Sequence, residues 1–265
     1  MSAVPALHGD AAALLTVSRG LAVLRAFRSD GTPVSNTELA RRTGLPKATV
    51  SRLTSTLLQL GFIRRVPGGR EFELTAGAYG MGHALVAASE LVRTAEPVMQ
   101  TLADRLQASV ALAMPDGLDM LYVAYRAGYG VATLRLGRGT VLPMATTAIG
   151  HAYLGGLDEP ERRRQLDRLT TVAGDDAQAI ARGIARSLAD LAAQGACTVL
   201  GGYQRDVGAT AVPLRVGRRA VLMGMSCGKA SLQIDVELDA RVVVPAIKDA
   251  AVELQERLAP LDGLL

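Results

Sequence analysis

The sequence predicts an α+β fold in two parts: three helices with a β-hairpin, then a larger domain of antiparallel strands and helices. Three observations predict it. The 265-residue chain is 49% hydrophobic and 20% charged, which is core enough for two domains of ordinary size. Its excess positive charge lies in one stretch. Residues 14–75 hold ten Lys and Arg against four acids, whereas residues 76–265 hold 19 against 20. Beyond residue 108, strand-like and helix-like runs alternate without a strand–helix–strand rhythm, so an antiparallel sandwich is expected rather than a doubly wound sheet. The expected division is an N-terminal arm (1–13), a basic module (14–75), a linker helix (76–92) and a second domain (93–265).

Several function classes drop out early. No run of about 18 apolar residues predicts a membrane span, and Met1–Asp10 lacks the pattern of a signal peptide. Two cysteines, Cys197 and Cys227, cannot build a disulfide framework, and their scarcity fits a cytoplasmic chain. The histidines, His8, His83 and His151, stand singly, so no metal site is expected. No phosphate-binding or dinucleotide fingerprint appears, so no cofactor is expected. Gly224-Met225-Ser226-Cys227-Gly228 matches the G-x-S-x-G nucleophile elbow. That motif needs a strand-to-helix turn and a later histidine, and none follows Ser226. A serine hydrolase using Ser226 is therefore the rejected alternative, and no catalytic residue is expected.

In the basic module, Val17, Leu21, Leu24 and Phe27 recur at helical spacing, giving a helix over about 15–28. Ser35 reads as an N-cap, with Glu38 completing a capping box and Val34 and Leu39 a hydrophobic staple. Gly44 suits the end of this second helix. Pro46 suits the first position of a third, running to Leu60, with Val50, Leu53, Leu57 and Leu60 as its buried stripe. Strands around 62–66 and 70–74, joined at Pro67-Gly68-Gly69, read as a hairpin.

Two short helices joined by a tight turn, the second opening on small, polar and basic residues, plus a hairpin wing, make a winged helix-turn-helix. The candidate interface with double-stranded DNA is Ser35, Thr37 and Arg42 on the second helix, Lys47, Ala48, Thr49, Ser51 and Arg52 on the third, and Arg64, Arg65 and Arg70 on the wing. Hydroxyl, lysine and arginine groups here can meet phosphates and base edges. For a charge run alone, solvated helix faces would be the simpler explanation.

In the second domain, a helix runs from Leu91 to Leu106 with Pro97 near its start. Strands at 109–114 and 118–125 flank a turn at Pro115-Asp116-Gly117, and a third strand covers Val131–Leu136. Helices follow at 147–154, 159–169 and 178–194, then strands at 196–200, 209–216 and 219–227. A closing helix spans 238–258, kinked near Pro245.

The run from Thr37 to Leu53 (TELARRTGLPKATVSRL), followed by Leu60-Gly61-Phe62-Ile63-Arg64-Arg65, resembles the DNA-binding signature of IclR-type bacterial transcription regulators. Leu142–Gly150 is similar to the loop-to-helix motif of their effector domains, and Gln204–Pro213 to a later loop-to-strand motif. The resemblance implies a GAF-like sensor domain, a small organic or aromatic acid as effector, and a homodimer or homotetramer reading a palindromic operator. It implies a cavity lined by Leu134, Leu142, Thr147, Ala148, Ile149, Val207, Ala209, Met225 and Cys227. For Leu134 and Val207, ordinary core packing accounts for the residue type equally well. The sequence departs from the family pattern in having His151 where a basic residue often follows Gly150, and no acid near Gly202-Tyr203. The expected role is a repressor or activator of a catabolic operon.

Overall fold

The computed structural model describes residues 15–27, 31–78, 80, 89–129, 131, 136–230 and 236–262. The expected N-terminal arm, most of the linker helix, residue Leu134 and most of the expected strand at 131–136 lie outside the described residues. The chain divides into two compact units between Ala88 and Ser89.

In the first unit, α1 spans Leu15–Arg25, α2 Asn36–Thr43 and α3 Lys47–Gln59, followed by β1 (Ile63–Arg65) and β2 (Phe72–Leu74). Val23, Val34, Leu39, Val50, Leu57, Ile63 and Phe72 form its core. Ser35 Oγ accepts from the Glu38 amide at 3.2 Å, which fixes the start of α2 by pairing an otherwise unmatched donor. The staple residues Val34 and Leu39 are both buried. Gly44 closes α2 at φ 69°, its N–H on Ala40 O; a side chain would be strained there. The wing pairs Ile63 with Leu74, Arg64 with Glu73 and Arg65 with Phe72. Val34 exchanges two 2.9 Å backbone hydrogen bonds with Phe72, tying the wing to the entry of α2.

Four local expectations change. The Glu38 carboxylate turns to Arg41 and Arg42, so the capping box is half made. Pro46 is the N-cap of α3 and not its first helical residue. Leu60 is exposed, and Thr54 takes a buried place in the α3 stripe, its hydroxyl satisfied by Val50 O and Asn36 Oδ1. On α1 the buried position is Val23, with Leu24 and Phe27 packed nearby, while Val17 and Leu21 are more than half exposed.

The second unit comprises α4 (Glu90–Leu106), β3 (Ser109–Asp116), β4 (Asp119–Ala127), β5 (Val141–Pro143), α5 (Ala148–Gly156), α6 (Glu159–Ala173), a 3-10 turn (Gly174–Asp176), α7 (Ala177–Gln194), β6 (Cys197–Leu200), β7 (Val207–Val216), β8 (Val221–Ala230) and α8 (Val236–Leu258). Among the described residues six strands run in the order β5-β4-β3-β8-β7-β6, each pair antiparallel. This is the antiparallel α+β architecture expected.

Both faces of the sheet are covered. Successive strand residues point to opposite faces, and Val110, Ala111, Leu112 and Ala113 are all buried. Ala111 and Ala113 join the cluster with Ile149 of α5, Leu169 of α6 and Ile184 of α7.

Differences here are local. The β3–β4 loop is Gly117-Leu118, with Pro115 and Asp116 still in the strand. Gly117 at φ 68° supplies the positive dihedral that a two-residue hairpin needs. Pro97 lies mid-helix in α4. Residues 90–92 form the first turn of that helix, which Ser89 caps. The short edge strand β5 has no counterpart in the sequence reading. The β7–β8 turn takes Gly217 to Ala220, both of these with positive φ.

Candidate functional site

The first unit presents a basic face. Pro46 offers no side-chain cap to α3, so first-turn amides of α3 stay open to an outside acceptor, and a helix N-terminus favours anions. Lys47, Ala48, Ser51 and Arg52 are exposed around that end and Thr49 is half-buried. Thr37 is exposed and Ser35 half-buried, with Ser35 Oγ serving as the α2 cap.

Arg42 is placed differently from the expectation. Its guanidinium donates to Ala26 O at 2.8 Å and to Glu38 at 2.7 Å, and its side chain is 18% exposed. It stitches the end of α1 to α2 instead of facing outward. Arg41 completes the cluster, and the two guanidiniums hold the Glu38 carboxyl at about 2, well below its usual range. On the wing, Arg64 is exposed but paired with Glu73 at 2.6 Å. Arg65 lies over the Phe72 ring at 5.2 Å, a cation–π contact. Arg70 is exposed beside the turn.

The second unit holds a cavity of about 60 Å³ against the start of α5. Thr147 is the N-cap of this helix: its hydroxyl accepts from the Gly150 amide at 3.3 Å and donates to Pro143 O at 2.7 Å. The amides of Ala148 and Ile149, at the first helical positions, have no acceptor inside the helix. Close packing sets the helix on the sheet. A side-chain carbon at Gly224 would stand 2.8 Å from Ile149 Cγ1 and 2.8 Å from its carbonyl oxygen. One at Gly150 would overlap the Met144 backbone.

Leu142, Thr147, Ala148, Ile149, Val207 and Ala209 all line this cavity. Met225 and Cys227 do not. The partners of Ala111 and Ala211 on β8 are Ser226 in both cases, and strand alternation puts Met225 and Cys227 on the opposite face. The residues that line the cavity instead are Ser226 and Gly228, with Tyr122, Ser109, Gly202 and Tyr203. The spacing Gly224-x-Ser226-x-Gly228 was the available signal: small residues at i, i+2 and i+4 mark one strand face under a close neighbour.

The same register disposes of the nucleophile elbow. Ser226 sits mid-strand in β8, 4% exposed, and is hydrogen-bonded to the buried Tyr122 phenol, whose pKa burial pushes upward. His151 is buried as well. Nδ1 lies 2.8 Å from Ser187 Oγ and Nε2 2.9 Å from Ala145 O. A carbonyl can only accept, so Nε2 carries the proton, and burial lowers the pKa. It is a neutral tie between α5 and α7. Burial pushes the Cys197 thiol up to about 12, away from redox chemistry. Among the described residues no cluster of His, Cys, Asp and Glu could hold a metal ion, and no helix is long and apolar enough to cross a membrane.

Two family models match. Residues 16–67 match the IclR helix-turn-helix domain, and residues 83–256 match the bacterial transcriptional regulator IclR C-terminal domain. The chain belongs to the IclR family. Within the IclR family it is 33% identical to the HTH-type transcriptional regulator TsaQ1/TsaQ2 of Comamonas testosteroni over 60% of this chain; the match spans 58% of that relative's length. The solved structure of an IclR family transcriptional regulator from Brucella abortus is 32% identical, with a TM-score of 0.82, covering 96% of both chains. An IclR homolog from Microbacterium hydrocarbonoxydans, solved in complex with 4-hydroxybenzoate, shares the fold at 20% identity and a TM-score of 0.64, over 92% of this chain and 98% of that one. The matched domains and relatives are transcription regulators and not enzymes.

Proposed function

We propose that this IclR-family chain is a sequence-specific DNA-binding transcription regulator, repressor or activator of a catabolic operon, controlled by a small organic or aromatic acid. The observation that carries the reading is the exposed start of α3. Lys47, Ser51 and Arg52 surround open helix amides, which is what a major-groove reader needs. Thr37, Ala48, Thr49, Arg65 and Arg70 extend this interface, with Arg64 contributing a charge already shared with Glu73. Ser35 and Arg42 support it by shaping α2.

The cavity beside Ala148 and Ile149 is the effector site. Its open amides suit a carboxylate, and the acid held by the Microbacterium homolog supports that chemistry. Thr147 orients the helix start, because its hydroxyl is already engaged. The chain works in the cytoplasm as a dimer or tetramer on a palindromic operator, since two-fold symmetric proteins read two-fold symmetric sites. The exposed apolar residues Leu15, Val17 and Leu21 on α1 support self-association.

The test is a mobility-shift titration at two salt concentrations, on the intergenic duplex beside the gene and on random duplex. Arg52→Ala is expected to lose about 5- to 150-fold on the intergenic duplex, the worth of one bidentate base contact. Arg65→Ala is expected to weaken both duplexes alike and to flatten the salt slope. Unchanged affinity in both variants would refute the DNA-reader assignment.

A further inference from the structure

We propose that α3 reads one guanine through Arg52 and one thymine methyl through Ala48, within two base pairs of each other in each half-site. This rests on the chain being a DNA reader, and it names the bases that the reader selects.

The roll of α3 decides which side chains can reach base edges. Val50, Thr54 and Leu57 are its buried residues. At about 100° per residue they share one side, and Ala48, Arg52 and Ser55 lie on the opposite one. All three are exposed. They stand towards the N-terminal end of the helix, which a helix-turn-helix turns to the bases.

Arg52 is the one arginine in α3, and it makes no ion pair or side-chain hydrogen bond among the described residues. Its neighbours on α2 and the wing strands are engaged. Arg41 and Arg42 hold Glu38, Arg64 holds Glu73 and Arg65 lies over Phe72. The helix therefore presents one unspent guanidinium fork, and that fork matches the O6 and N7 acceptors of guanine. With no Asp or Glu in α3, no carboxylate is present there to select cytosine instead.

Ala48 lies one turn before Arg52, about 6 Å along the helix axis, which is less than two base-pair steps at about 3.4 Å each. Its methyl group makes no hydrogen bond and suits the C5-methyl of thymine. Ser55 adds little discrimination. Its hydroxyl donates to Ser51 O at 2.9 Å, which leaves only lone pairs for the groove. Every base pair shows an amino donor there, on adenine or on cytosine, so an acceptor alone does not tell A·T from G·C. Base selection by α3 thus concentrates on Arg52 and Ala48.

Base analogues in a duplex selected from a random pool by the full chain test this, with fluorescence anisotropy as the readout. Each half-site is expected to hold a guanine and, within two base pairs, a thymine. Replacing that guanine in one half-site by 7-deazaguanine, which lacks the N7 acceptor, is expected to weaken the parent by about fivefold or more and to leave Arg52→Ala unchanged. Replacing the thymine by uracil, which lacks the methyl, is expected to weaken the parent about fourfold, the worth of one buried methyl, and to leave Ala48→Gly unchanged. Selection repeated with Arg52→Gln is expected to exchange the guanine for adenine, whose N6 and N7 a glutamine amide matches. Equal loss on 7-deazaguanine in the parent and Arg52→Ala overturns the guanine assignment, and equal loss on uracil in the parent and Ala48→Gly overturns the thymine assignment. A parent indifferent to both analogues overturns both without recourse to a variant. Failure of the parent to bind any duplex overturns the DNA-reader reading itself.

Discussion

Arg42 and Arg52 stand ten positions apart in one basic stretch and do different work. Arg52 is exposed on α3, whereas Arg42 spends its guanidinium on Ala26 O and Glu38. Arg42→Ala is expected to cost about 1–2 kcal/mol of stability, the scale of partly exposed charged hydrogen bonds. It should leave the salt slope of DNA binding unchanged. Denaturant unfolding and a salt titration on the same variant check both outcomes. The same cluster sets a pH dependence. Glu38 is depressed from 4.5 to about 2, so its contribution is full above pH 4.5 and is lost as pH falls through about 2. A carboxyl NMR titration should give a Glu38 midpoint near 2 in the parent and a higher one in Arg42→Ala. A midpoint near 4.5 in the parent would contradict the cluster. None of this was legible in the sequence, because spacing marks Glu38 equally as a capping-box residue and as an i,i+3 and i,i+4 partner for Arg41 and Arg42. Two forked guanidiniums outcompete one backbone amide.

At the scale of elements, features set by local chemistry were legible. The Ser35 cap, the Gly44 terminus, the wing and most helices of the second unit follow from turn residues and periodicity. What escaped depends on tertiary neighbours. The buried side of α1 centres on Val23 because Gly20 lies 3.9 Å, measured from the carbon a side chain would add, from Leu53 Cδ2 of α3; an apolar pattern alone also admits Val17 and Leu21. The resemblance puts Met225 and Cys227 on the cavity face of β8, one residue out of register, and burial does not reveal the slip, since every position from Leu222 to Cys227 is buried. With both sheet faces covered, hydrophobicity no longer tells them apart. The glycines do. Gly224→Ala would press against the Ile149 carbonyl and displace α5, at an expected cost of about 1–3 kcal/mol. Gly183 in α7 has open space around it, and Gly183→Ala should stabilise by about 0.5–1 kcal/mol through helix propensity. Opposite shifts in thermal midpoint are the expected signature; a neutral Gly224→Ala would mean that α5 is not seated on that glycine.

Across the whole molecule, positive charge is divided unevenly between the two units. A net charge of +4 on 265 residues says little about partners. Its confinement to residues 14–75 gathers the excess positive charge in one unit and leaves the other nearly neutral, with a cavity free of charged side chains among its described residues. An acid bound in the second unit can regulate DNA binding only by differing in affinity between DNA-bound and free protein, and the effect is reciprocal. The claim beneath that coupling is that the chain reads sequence through α3. Selection of duplexes from a random pool, followed by fluorescence anisotropy on the enriched sequence, tests it most directly. An enriched palindromic site is expected to bind at least tenfold tighter than random duplex, with that preference lost in Arg52→Ala. Equal binding of enriched and random duplex by the parent, or a preference that survives Arg52→Ala intact, would contradict it.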